Sequence, residues 1–145
     1  MKLATFSAGG QQRLGAIVAD DSVAIDLARA EQALARREKR KAYAFLGDML
    51  SLLEAGNKGL SAAKKAAKAA EDKLGKPDGK TSFALSRVRL RAPVPNPRKV
   101  FCLAGNYQDH IEEGGSAKLA IQDKETPRVF MKPPTTTVIG PGDKI

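Results

Sequence analysis

Apolar and polar positions alternate loosely through the first 27 residues, and the period then changes. Residues 2–6 and 13–18 read as two short strands, the second carrying Leu14, Ala16 and Val18 on one side, joined as a hairpin through Ser7-Ala8-Gly9-Gly10-Gln11. The turn cluster Asp20-Asp21-Ser22 precedes a third strand, Val23 to Leu27, which completes a small antiparallel meander. Helical spacing follows. Ala28 to Ala44 is rich in Ala, Arg, Glu and Lys, and Phe45 to Glu54 sets Phe45, Met49, Leu52 and Leu53 on one side. Gly56-Asn57 is the expected stop. Ser61 is placed to cap a further helix running to about Leu74, with Gly75 and Pro77 just beyond. The apolar face of that helix is mostly alanine, which predicts shallow packing.

Past residue 80 the pattern returns to strands. Phe83 to Leu90 alternates Val88 and Leu90 with Arg87, Arg89 and Arg91, and Ala92-Pro93-Val94-Pro95-Asn96-Pro97 then breaks the chain, because proline lacks a donor and biases its neighbours to extended backbone. Val100-Phe101-Cys102-Leu103-Ala104 is a near-continuous apolar run, read as a buried strand leading through Gly105 into a polar segment. A second such strand, Val129 to Met131, leads into Lys132-Pro133-Pro134 and the turn Gly140-Pro141-Gly142-Asp143. The fold class is therefore α+β. A small N-terminal α/β domain of meander and helices, 1–92, is followed by a proline-rich linker, 93–97, and by the first strands of a mixed sheet, 98–145.

Composition narrows the function classes. The chain has 145 residues and 15.4 kDa, 42% hydrophobic and 28% charged, with a mean hydropathy of -0.33, which is the composition of a soluble globular protein. No apolar run approaches the roughly 18–20 residues of a membrane helix, and the N-terminus lacks the apolar stretch of a secretory signal. A single cysteine, Cys102, excludes an intrachain disulfide and a multi-cysteine zinc site, so a reducing cytoplasm is the expected compartment. The net charge of +9 is N-terminal: residues 1–92 hold 18 basic and 10 acidic side chains, residues 93–145 hold 7 and 6. Phosphate backbones attract such surfaces. The basic runs carry no interleaved stacking aromatic before Tyr43 and no nucleic-acid-binding signature, so nucleic acid is a poor match. A non-catalytic basic binding module is the reading that keeps this charge central.

Candidate chemistry centres on one residue. His110, the sole histidine, is followed three positions later by Glu113, and positions i and i+3 of a helical turn face the same way. A carboxylate beside imidazole favours the imidazolium and fixes which ring nitrogen is free, giving a general base that works near neutral pH. An exposed histidine and glutamate on a surface helix would share that spacing. What singles this pair out is its place directly after the strand ending at Ala104-Gly105, where a rigid scaffold commonly carries site residues. Asp123-x-Glu125 precedes the second strand in a loop and makes a poor cation pair, and Cys102 reads as an inert core residue.

Four blocks in order, Lys99 to Tyr107, then His110 with Glu113, then Pro127 to Pro133, then Gly140 to Asp143, resemble the start of the catalytic domain of the fumarylacetoacetate hydrolase family. Leu3 to Phe6, Arg13 to Val18 and Phe45 to Leu50 are similar to the smaller domain that precedes it. The resemblance implies a metal-dependent enzyme that hydrolyses a C–C bond in an acylpyruvate or β-diketo acid, with an oxaloacetate-type decarboxylase or tautomerase as the alternative. It implies His110 as the base and Glu113 as its orienting partner, activating water. Lys132 would reach a substrate carboxylate or end its strand in solvent, and Asn106 and Tyr107 would touch ligand or hold the turn. Mg²⁺, or Ca²⁺ or Mn²⁺, is the implied cofactor, a small oxo acid the substrate, and a homodimer the expected assembly. The family holds its metal with a Glu-x-Glu pair and a more distant Asp downstream of the glycine-proline turn. Those ligands are expected outside these 145 residues, leaving an incomplete catalytic sheet and no metal ligand here.

Overall fold

The computed structural model describes residues 1–104 and 128–144, and the chain divides into two compact units, Met1–Pro95 with Ile139–Ile145 and Asn96–Val138. The architecture is α+β, as the pattern predicts. In the first unit, β1 (Lys2–Ala8) and β2 (Gln11–Val18) pair antiparallel right up to Gly9-Gly10. Both glycines have positive φ, +57° and +75°, which suits the two-residue turn whose twist matches the strands, so the five-residue loop expected from the sequence contracts to two. β3 (Val23–Asp26) continues the meander. The turn before it carries three consecutive left-handed residues that are not glycine, Ala19, Asp20 and Asp21. Ser22 holds it closed, its amide and its hydroxyl both donating to the Ala19 carbonyl at 3.1 and 2.6 Å.

Asp26 ends β3 and starts α1 (Leu27–Arg37): its Oδ1 accepts the Arg29 amide at 3.0 Å and its Oδ2 accepts from the Arg13 guanidinium at 2.5 Å. The sequence predicts this helix to Ala44, yet it stops at Arg37. Lys39 turns left-handed at φ +52°, and the Arg40 and Lys39 amides close back onto the Ala35 and Arg36 carbonyls at 3.0 and 3.3 Å. That is a Schellman stop with lysine where glycine is the usual occupant. Lys39→Gly removes the Cβ penalty at this position and is expected to stabilise the unit by about 1 kcal/mol. Urea unfolding followed by far-UV circular dichroism reads the change, and a loss of stability would contradict the strain argument.

The helix predicted over Phe45–Glu54 divides into a 3₁₀ turn, Ala44–Leu46, and α2 (Met49–Glu54). Asp48 is the reason: its carboxylate accepts the Ser51 amide at 2.9 Å and the Ser51 hydroxyl at 2.6 Å, starting a new helix. α3 (Gly56–Glu71) begins five residues ahead of Ser61, which is exposed and caps nothing. The alanine strip of α3 is more deeply placed than predicted. Ala62, Ala63, Ala66 and Ala67 are buried with Leu14, Ala16, Ile25, Leu27, Leu46, Met49 and Leu52 in one core between helices and sheet. Small side chains here bring the helix close instead of leaving it loose. No helix among the described residues is long and apolar enough to cross a membrane.

The single strand predicted over Phe83–Leu90 is two strands on opposite edges. β4 (Ser82–Ala84) pairs with β3 and β5 (Arg89–Leu90) pairs with β1, giving the order β4-β3-β2-β1-β5 with a 3₁₀ turn, Leu85–Arg87, between them. Five residue steps reach at most about 17 Å, and four flat strand spacings need about 19 Å. The sheet must curl to be joined this way. Its second face then closes on itself: Phe6, Ala24 and Asp26 are buried there, and the Phe6 and Phe83 rings meet edge to face at 5.6 Å.

Carboxylates fix several of these turns. Asp78 Oδ1 accepts the amides of Lys80, Thr81 and Ser82 at 2.8, 2.8 and 2.9 Å, setting the entry to β4. Burial acts to raise the Asp78 pKa, and these amides outweigh it, so the net direction is downward. The Ser51 hydroxyl and amide lower that of Asp48. A lowered folded pKa stabilises fully above the ordinary values, 3.8 for both groups, and the contribution is lost as pH falls through the folded ones. The thermal midpoint is therefore expected to drop between about pH 5 and about pH 2, with a shallower drop in Asp78→Asn. An identical slope in that variant would remove Asp78 from the account.

The second unit contains β6 (Val100–Ala104), β7 (Arg128–Lys132) and one helical turn, α4 (Pro134–Thr137). β6 and β7 form a two-stranded antiparallel ribbon in which Val100 faces Lys132 and Ala104 faces Arg128. The expectation of a buried strand is corrected here. Phe101 is 60% and Met131 67% exposed, and Leu103, Val129 and Phe130 are exposed as well, because a two-stranded ribbon covers neither of its own faces. Cys102, expected in the core, is half-buried.

Candidate functional site

The ribbon sets the frame for the candidate chemistry. Opposed residues share a face, so Val100, Cys102, Ala104, Arg128, Phe130 and Lys132 lie on one side and Phe101, Leu103, Val129 and Met131 on the other. The second side is wholly apolar, and the first carries a cation at each end. Ala104 and Arg128 are paired, so residues 105–127 leave and rejoin the ribbon at neighbouring backbone positions. His110, Glu113, Asn106 and Tyr107 belong to that connection and lie outside the described residues, as do Asp123 and Glu125.

Lys132 is described. It is exposed at the far end of β7, four residues from Arg128, or about 13 Å along the strand. Arg128, which the sequence reading passed over, stands where the 105–127 connection joins. Its signal was available: it is the basic residue between Pro127 and the apolar run Val129-Phe130-Met131.

The Gly140–Asp143 turn is built from its own aspartate. Asp143 Oδ2 accepts the Gly140 amide at 2.7 Å, its own amide donates to the Gly140 carbonyl at 3.1 Å, and its carboxylate pairs with Arg89. The Gly140 amide, and behind it Arg89, hold the Asp143 carboxyl below its usual range. Asp143 thus serves the turn. Other carboxylates are similarly engaged, among them Asp26 with Arg13, Glu31 with Arg40, Glu38 with Arg40 and Lys65, Asp48 with Ser51, and Asp78 with three amides. Among the described residues no three His, Cys, Asp or Glu side chains gather as a metal-binding group. They do not fit a Mg²⁺ site.

No protein-family model matches the sequence. Comparison with curated proteins is more informative. The chain is 34% identical over 148 residues to oxaloacetate tautomerase YisK of Bacillus subtilis, an alignment that takes in 99% of this chain and 44% of that protein. This supports the fumarylacetoacetate hydrolase superfamily. It is also 42% identical over 64 residues, 44% of this chain, to protein Rv2993c of Mycobacterium tuberculosis, of which it spans 22%. The chain thus spans less than half the length of either relative.

Proposed function

We propose that this chain belongs to an oxaloacetate-type enzyme of the fumarylacetoacetate hydrolase superfamily, a tautomerase that interconverts the keto and enol forms of a short 2-oxo diacid. The observation that carries this reading is the 34% identity to an oxaloacetate tautomerase over 99% of the chain, which runs through both ribbon strands and the connection holding His110. The proton chemistry matches the sole histidine, His110. His110 takes a proton from the methylene carbon between the keto carbonyl and the distal carboxylate, the C–H electron pair forms the C=C bond as the carbonyl π pair moves to oxygen, and that oxygen takes a proton from water to give the enol. The reverse order regenerates the ketone. Glu113, three positions on, is the acid to hold the ring and favour its protonated form during the transfer. The imidazole is suited to this because its ordinary pKa lies close to neutrality.

The test measures oxaloacetate ketonisation, followed by the ultraviolet absorbance of the enol, with the 145 residues alone and with the part of the Bacillus subtilis enzyme that the chain does not span. His110→Ala is expected to lower turnover by about 10²-fold or more. Unchanged turnover in that variant would remove His110 from the mechanism. Absence of catalysis in both settings would overturn the reading.

A further inference from the structure

The first unit carries a cleft of about 270 Å³ between α1, the C-terminal end of α3 and the segment leading into β4. Its floor is apolar and its rim is not. Ala30, Ala33 and Leu34 from α1 and Ala69, Ala70 and Leu74 from the α3 end supply methyl and methylene surface. Arg37 from the end of α1 and Lys73 and Lys76 from the segment after α3 supply the cations, and none of their side chains makes a hydrogen bond or ion pair among the described residues.

Cations at helix C-termini often serve the last carbonyls. Here backbone donors already fill that role. The Glu38, Lys39 and Arg40 amides take the Leu34, Arg36 and Ala35 carbonyls at the end of α1, and the Asp72, Lys73 and Leu74 amides take those of Lys68, Ala70 and Glu71 at the end of α3. The lining acid, Asp78, directs Oδ1 to the amides of Lys80, Thr81 and Ser82. Three cations against one carboxylate leave the cleft two positive charges in excess.

We infer that this cleft binds a small organic dianion, an acid group at each end of a short carbon chain, with Arg37, Lys73 and Lys76 holding the acids and the alanine floor the carbons. Charge selects two acid groups. The floor selects a carbon body over an inorganic anion, because an inorganic anion would have to be desolvated against methyl groups without gain. The cleft shares no residue with the ribbon, and the inference stands whichever reaction the protein catalyses.

The experiment uses the ¹⁵N-labelled 145-residue chain titrated with succinate, butyrate and inorganic phosphate. Succinate is expected to shift the Ala33, Ala70 and Leu74 amides saturably, with a dissociation constant at or below about 1 mM. Butyrate and phosphate are expected to bind at least about tenfold more weakly, and Arg37→Gln with Lys73→Gln to weaken succinate by a similar factor. Lys64→Gln, on the exposed side of α3 away from the cleft, is expected to leave binding unchanged. Should the double variant unfold, Lys76→Gln alone, expected to weaken succinate about threefold, carries the test. No saturation by about 20 mM succinate, equal binding by phosphate or butyrate, or undiminished binding in the cleft variants would each overturn the inference.

Discussion

Replacing Glu31 by alanine is expected to cost the first unit about 3 kcal/mol, measured by urea unfolding at neutral pH with far-UV circular dichroism. Glu31 is 1% exposed, the most deeply placed acid of the helix layer. Its Oε1 accepts from Arg40 Nη1 at 2.5 Å and from the Tyr43 amide at 3.0 Å, and its Oε2 accepts from Arg40 Nη2 at 3.2 Å. Arg40 in turn reaches Glu38 at 2.6 Å, Glu38 reaches Lys65 at 2.7 Å, and the guanidinium lies 4.8 Å from the centre of the Tyr43 ring. Glu31 and Glu38 together raise the pKa of Arg40, so the guanidinium is charged throughout. One carboxylate therefore folds the segment after α1 back over α3. Deleting it leaves the Tyr43 amide without its acceptor and a void beside Ala62. Glu31→Gln keeps the volume and one acceptor oxygen, and is expected to lose about half as much. Arg40→Met should destabilise in the same direction. A loss below about 1 kcal/mol in Glu31→Ala would show the network to be incidental.

Phe6→Ala is expected to cost about 3–5 kcal/mol in the same assay. The ring is fully buried, 0% exposed, yet belongs to a different cluster from the helix-facing core, since Phe6 alternates with Thr5 and points into the curl of the sheet. It occupies the space that Gly15 leaves open: a Cβ there would stand 2.6 Å from Cε1 of the ring. It also meets Phe83, which Arg13 covers from 5.4 Å. A cavity at this point cannot be filled from the helices, which lie on the other side. Phe83→Ala, half-buried, is expected to cost less, and the double variant to show a coupling of about 1 kcal/mol. Additive losses would mean that the ring contact does not help hold the curl.

The elements visible in sequence were those whose causes are local. The meander, the two helix-forming regions and the two strands of the ribbon follow from alternation, helical spacing and punctuation by Gly, Asp and Pro. What escaped were features set by distant partners. Lys39 does not announce a helix stop, because lysine rarely turns left-handed and the amide of Arg40 closes the turn on Ala35. Phe83 to Leu90 alternates as one strand would, and only the pairing of its two halves with β3 and β1 splits it. The apolar run Val100–Ala104 predicted burial from composition alone, and no partner among the described residues covers it. For the site, Lys132 was found at an exposed strand end, while His110, Glu113, Asn106 and Tyr107 fall outside the described residues. The cation that the register places at the mouth of the connection, Arg128, is a matter of strand pairing that spacing alone does not reveal.

The sheet order has a consequence for how the molecule comes into being. β1 is synthesised well before β5, and its outer hydrogen-bonding row is met by Leu90 and by the Arg91 amide, which donates to the Thr5 carbonyl at 2.8 Å. Until residue 91 has left the ribosome, that row of β1 is an open template for any extended peptide nearby. Assembly therefore waits on a non-local closure, which places this unit among slowly maturing topologies despite its helical content.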